Sequence, residues 1–252
     1  MTDVGSRPDT RTMAYVGPFC CFMAFLALPD LLSMLGFFSA DPVADASSDT
    51  LKLWLYPLQT ITTLLVLAMY WKQYDFKPHS GWLLAIGAGI FSILVWILPG
   101  HLFEMWQMPE GRWQYLGFSA RTDGFDPSPL KANGSPLYVF VVAMRFVRLV
   151  IVAPLIEELF WRGFMMRYLV DLDGDYWKVP FGTFNQRSLL IVTAMVVAVH
   201  APVDYAGALI FGLLMYGIAV RTKSLSACVI MHATANLILG LYVMNSHKWG
   251  YW

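Results

Sequence analysis

Two adjacent carboxylates, Glu157 and Glu158, lie in the otherwise largely apolar stretch "IVAPLIEELFWRGFMMRYL" at 151–169, with a base at Arg162. An ionisable residue in a membrane helix costs about 2.5–3.5 kcal/mol on insertion scales, and it persists where it lines a cavity or does chemistry. On a helix Glu158 and Arg162 are four apart and share a face. Glu157 points about 100° away from Glu158. One acid is thus placed for neutralisation by the arginine, and the other faces elsewhere, free to act as a general base. The plainer alternative is an ion pair at a helix end with one surface acid.

Two further polar groups interrupt apolar runs. His200 closes "IVTAMVVAVH". His232 and Asn236, in "HATAN", are four apart and share a helix face, with Ala233 and Ala235 between them. Such a pair can hydrogen-bond a substrate carbonyl, hold a water, or bridge packed spans. At 1.5 Å per residue, Glu157 lies about 20 Å from residue 170, His200 about 20 Å from residue 187, and His232 and Asn236 about 12–20 Å from residue 224. Three spans therefore bring polar groups to a similar depth, which predicts a single buried polar site.

Carboxylate, two imidazoles and an amide suit hydrolysis, in which a base activates water and neutral donors stabilise an oxyanion. Glu157, His200 and His232 are also possible ligand types for a divalent metal such as zinc. No HExxH occurs, and no serine or cysteine sits in a recognisable nucleophile elbow. Cys20, Cys21 and Cys228 have neither metal spacing nor a disulfide pattern. The acidic run "DLDGD" at 171–175 has its glycine at the fourth position, which does not fit a calcium loop. Arg145 and Arg148 are open to three roles: flanking the membrane, pairing with an acid such as Asp204, or touching a substrate carboxylate.

The elements that must position these groups are apolar helices. Of 252 residues, 58% are hydrophobic and 13% charged, against about 25% charged in soluble chains. Mean hydropathy is +0.55. Formal net charge is zero, so no basic face is available for nucleic acid. Seven long apolar segments fall near 13–38, 51–71, 82–99, 137–170, 188–203, 205–220 and 225–244. A kink or break near Pro154 would turn the fourth into two, so the sequence predicts an all-α polytopic transmembrane bundle of about 7–8 spans. The first segment exceeds a signal-peptide core and reads as a retained span. Residues 1–252 read as one membrane domain.

Lys and Arg concentrate in the loops 1–12, 72–81, 167–187 and 221–224, whereas 39–50 and 201–205 have none. This pattern predicts a cytoplasmic N-terminus. The loop 100–136, rich in Pro, Gly, Asp and Trp, reads as irregular or partly interfacial.

The ordered set "EELFWR", a histidine ending an apolar helix, and "HATAN" resembles the CPBP family, also called the Abi or type II CAAX prenyl endopeptidase family of intramembrane proteases. The matching part covers about 137–245. The family's phenylalanine four residues before the second-motif histidine is Val196 here. The resemblance implies a helical membrane endopeptidase that cleaves near the C-terminus of a membrane-associated protein. It implies that Glu157 and His200 activate water, that His232 and Asn236 hold the oxyanion, and that Glu158 and Arg162 orient the site or the substrate. Because the family is often labelled metalloprotease, a metal on Glu157, His200 and His232 is also admitted. The length and layout suit the branch that accompanies bacterial exosortase systems, which would place the chain in a bacterial inner membrane. Two readings of other classes compete: a non-catalytic membrane immunity or scaffold protein, and a proton-coupled transporter.

Overall fold

The computed structural model describes residues 9–35, 46–121, 124–133 and 135–252. Arg7 and most of the loop 39–50, both used in predicting orientation, lie outside the described residues. Among those described there are helices and turns but no strand. Seven long helical segments occur: α1 (Thr10–Met34), α2 (Ala46–Met69), α3 (Trp82–Met105), α4 (135–168), α5 (Gln186–Ala198), α6 (Tyr205–Thr222) and α7 (Leu225–Ser246). Five are long and apolar enough to cross a membrane, namely α1, α3, α4, α6 and α7, with shorter apolar helices at Leu53–Met69 and Gln186–Ala198. The protein is an all-α, polytopic integral membrane protein.

Two details differ from the segments read in the sequence. First, α4 is not broken at Pro154. It runs through Ser135–Val147, a π-helical stretch at Arg148–Val152, an α-helical stretch at Ala153–Glu158, a second π-helical stretch at Leu159–Met165 and a last turn at Met166–Tyr168. The π-type turns absorb extra residues without ending the helix, so the fourth segment stays one element. Second, α5 stops at Ala198, short of the expected 203. Pro202 opens the short 3-10 turn Pro202–Asp204, and Ala201 before it is extended (φ −64°, ψ 148°). A residue preceding proline is pushed out of the helical region by the ring.

The chain forms two compact units. The first comprises 1–74 and 127–156, the second 75–126 and 157–252. In the first, the Gln59 side-chain amide donates to the Phe22 carbonyl at 2.8 Å. Both Arg145 and Arg148 lie over the Tyr56 ring, at 4.3 and 4.4 Å, and Arg148 also over Phe22 at 5.1 Å. Cation–π contact is one way to carry a guanidinium in an apolar setting.

The second unit carries every candidate site residue. Its core gathers Ile93 and Ile97 of α3, Met166 of α4, Met215 of α6, and Cys228 and Met231 of α7. α3 shows how the packing works without a water-driven force between helices. Its small residues Ala85, Gly89 and Ser92 are buried, while Leu83, Phe91 and Leu94 are exposed. Small residues inside and large apolar ones outside are what helix packing in lipid favours. The approach of α3 to α7 is close enough that a Cβ added at Gly89 would lie 2.5 Å from the Met231 carbonyl oxygen. Met231 precedes His232, so Gly89 sets how near the histidine-bearing helix can come. α7 starts where Ser224 caps it, the side chain accepting from the Ala227 amide at 3.2 Å; such a cap contributes about 1 kcal/mol.

Candidate active site

Glu158 is the residue at the entry to the second π stretch of α4, and it is fully buried. Arg162, four residues on, is 2% exposed. Its Nη1 lies 3.3 Å from Glu158 Oε1 and 3.2 Å from Oε2. His232 arrives from α7 and places Nδ1 2.8 Å from the same Oε1. The carboxylate only accepts, so Nδ1 carries the hydrogen and Nε2 is the ring nitrogen left for other chemistry. The ring edge of His232 meets Phe211 of α6 at 5.1 Å between centroids. Burying an isolated carboxylate would cost several kcal/mol; here a guanidinium and an imidazole share it.

Glu157 is half-buried. It enters no hydrogen bond or ion pair with the described residues, in keeping with its position on a different side of the helix from Glu158. Asn236 lies one turn beyond His232 on α7 and is half-buried.

His200 occupies the turn just past the end of α5 and is half-buried. Its Nδ1 lies 2.7 Å from the Val196 carbonyl oxygen. A carbonyl only accepts, so Nδ1 donates and Nε2 is again the nitrogen with a lone pair. The partner is backbone, so the bond does not depend on the side chain at 196. Val196 itself is 3% exposed and fills the place where the family pattern has phenylalanine.

The structure therefore joins Glu158, Arg162 and His232 in one buried hydrogen-bonded set. It relates the two histidines less directly. The His200 ring lies 5.5 Å from Trp96, Trp96 lies 6.3 Å from Phe211, and Phe211 touches His232. As for the metal-ligand set Glu157, His200 and His232, among the described residues no group of three or more His, Cys, Asp or Glu stands close enough to hold a metal ion. Both histidines commit Nδ1, one to Glu158 and one to a carbonyl, so that Nε2 is in each case the nitrogen open to a ligand.

Sequence reading missed a second polar cluster, at His200. Trp96 Nε1 of α3 donates to Asp204 Oδ1 at 3.0 Å, and Arg121 Nη1 lies 2.8 Å from the same oxygen. Arg121 Nη2 also donates to the Val203 carbonyl at 3.2 Å. The guanidinium lies 4.4 Å from the centroid of the Tyr251 ring. Burial pushes the Tyr251 phenol up to about 12, with Arg121 pulling the other way. Asp204 is thus paired with Arg121. Arg121 belongs to the loop expected to be irregular, yet it is 5% exposed. The one signal in the sequence was an acid directly after "HAPV", four residues from His200.

Residues 135–238 match the family model described as Rce1-like, type II CAAX prenyl endopeptidase Rce1-like. This segment belongs to that family. The match includes Glu157, Glu158, Arg162, His200, His232 and Asn236. Comparison with curated proteins and with solved structures gives no significant match. The match supports a CAAX-type intramembrane protease in general, a hydrolase acting on a membrane-associated protein.

Proposed function

We propose that the protein hydrolyses a peptide bond near the C-terminus of a membrane-associated protein. In this reading the carboxylate of Glu157 takes a proton from water, with Nε2 of His200 accepting the hydrogen bond that orients it. The resulting hydroxide attacks the scissile carbonyl carbon. The developing oxyanion accepts from the Asn236 amide and from Nε2–H of His232 in its imidazolium form, with Glu158 as the counter-charge. As the C–N bond breaks, the proton held by Glu157 passes to the leaving amine. Arg162 keeps Glu158 in place. No step requires a metal.

The single observation that carries the reading is the buried His232–Glu158–Arg162 set, within the family-matched segment, at a depth where charge is expensive. A bacterial inner-membrane location with the N-terminus in the cytoplasm is part of the same proposal. So is the treatment of 1–252 as one membrane domain.

The test is Glu157→Gln. Membrane-protein C-termini are compared by mass spectrometry in cells carrying wild-type or variant chain. Truncated C-termini that vanish in the variant, with insertion unchanged, support a peptidase. Unchanged C-termini together with a retained partner phenotype would indicate the scaffold reading. Loss of proton-linked flux alone would indicate a transporter.

A further inference from the structure

We infer that Trp96, Asp204 and Arg121 are positioning residues for His200: the ion pair fixes the indole, and the indole fixes the imidazole. The inference rests on the proposed role of His200 in handling water.

The imidazole of His200 lies outside regular helix, in the turn after α5, where backbone alone would hold it loosely. Its Nδ1 is tied to Val196, which sets one end of the ring. Rotation about that bond is limited by the Trp96 ring, packed edge-to-face with the imidazole at 5.5 Å between centroids and 62° between planes. Trp96 is itself held at its other end by Asp204, through Nε1. It is also boxed against α6, where a Cβ at Gly207 would lie 2.6 Å from the indole. Asp204 is tied by Arg121. Arg121 is anchored by the Val203 carbonyl, by the Tyr251 ring and by the hydrogen bond from the Gly250 amide to its own carbonyl at 3.0 Å. Each member is restrained by the next, and the series ends on a histidine with a free Nε2. Partners that orient a working imidazole in this way typically cost 10–100-fold in activity when removed from metal sites. Small misplacements of a reacting group have comparable effects.

The arrangement also explains why a membrane helix would keep a tryptophan whose N–H points at an acid. A lipid-facing Trp does not need Asp204, and an ion pair needed only for folding does not need the indole.

The experiment uses the full chain in lipid nanodiscs, with Asp204→Asn, Trp96→Phe and Arg121→Lys. Histidine-selective NMR is the first readout; the chain has five histidines. The His200 ring signals should shift and broaden in Asp204→Asn and Trp96→Phe, while those of His247 stay put. The second readout is cleavage of an internally quenched peptide ending in farnesyl-cysteine and three further residues. In both variants kcat should fall about tenfold with KM within about twofold. In a His200→Ala background the same substitutions should cost little more, because they act through the missing ring. Arg121→Lys, which retains the charge, should lose less of the rate than Asp204→Asn.

An unmoved His200 signal in folded Asp204→Asn and Trp96→Phe overturns the inference. So does a cost that stays fully additive with His200→Ala. If His200→Ala cleaves normally, the proposed role of His200 fails instead. If wild-type chain leaves the peptide intact, that substrate class fails, and the NMR result alone decides the positioning.

Discussion

Two buried arginine–carboxylate pairs sit in the same unit and differ in almost every respect. Arg162 and Glu158 are four residues apart on one helix, 2% and 0% exposed at the side chain, and the acid has a histidine as its third partner. Arg121 and Asp204 are distant in sequence; the acid is 19% exposed, and its third partner is an indole. The first pair sits where no water can replace a lost partner. The second has some access to solvent and several backbone anchors. The same chemistry thus serves as a core charge set in one place and as a brace in another.

The sharpest way to break the comparison is Glu158→Gln. It strands the Arg162 guanidinium in the core and should cost about 3 kcal/mol or more, read as a large drop in melting temperature. It should also abolish cleavage, because a neutral amide no longer supplies the counter-charge for the His232 imidazolium. Asp204→Asn should lower the melting temperature much less, since the acid is 19% exposed and water can take the place of the lost charge partner. Equal losses for the two would erase the distinction drawn above.

An intermediate effect is expected from Gly89→Ala. The added methyl meets the Met231 carbonyl and pushes α7 outward. Overpacking of this kind costs about 1–3 kcal/mol. Cleavage should fall further than stability alone explains, because His232 moves with Met231. A variant with full activity would mean that α7 tolerates the shift. The smallest effect should come from Lys178→Met, which removes a side chain 85% exposed in an ion pair with Asp175. Screened surface pairs contribute little, so melting temperature and cleavage should both match wild type.

Much of this was legible beforehand, for identifiable reasons. Apolar segments long enough for a bilayer appear as helices, because a backbone in lipid must satisfy its own hydrogen bonds. The Glu158–Arg162 pair follows from spacing alone. The third contact, from His232, does not, because it depends on how α7 packs against α4. The π stretches in α4 leave no mark in residue type. Trp96 looks like any other apolar residue of α3, and Arg121 like any other cation of a loop. Their role depends on residues 204 and 251, far away in sequence. The metal set was suggested by residue type alone, and residue type does not say which groups stand together; among the described residues no such cluster does.

One consequence follows from the early end of α5. Thirteen residues rise about 20 Å, while the hydrocarbon layer is about 30 Å thick. Such hydrophobic mismatch is relieved by local thinning of the lipid beside the short helix. The last carbonyls of α5 are met by the turn that follows, Met195 by the Val199 amide, Val196 by His200 Nδ1 and Val197 by the His200 amide. His200 stands at that end, where lipid thinned in this way would bring water closest to the imidazole.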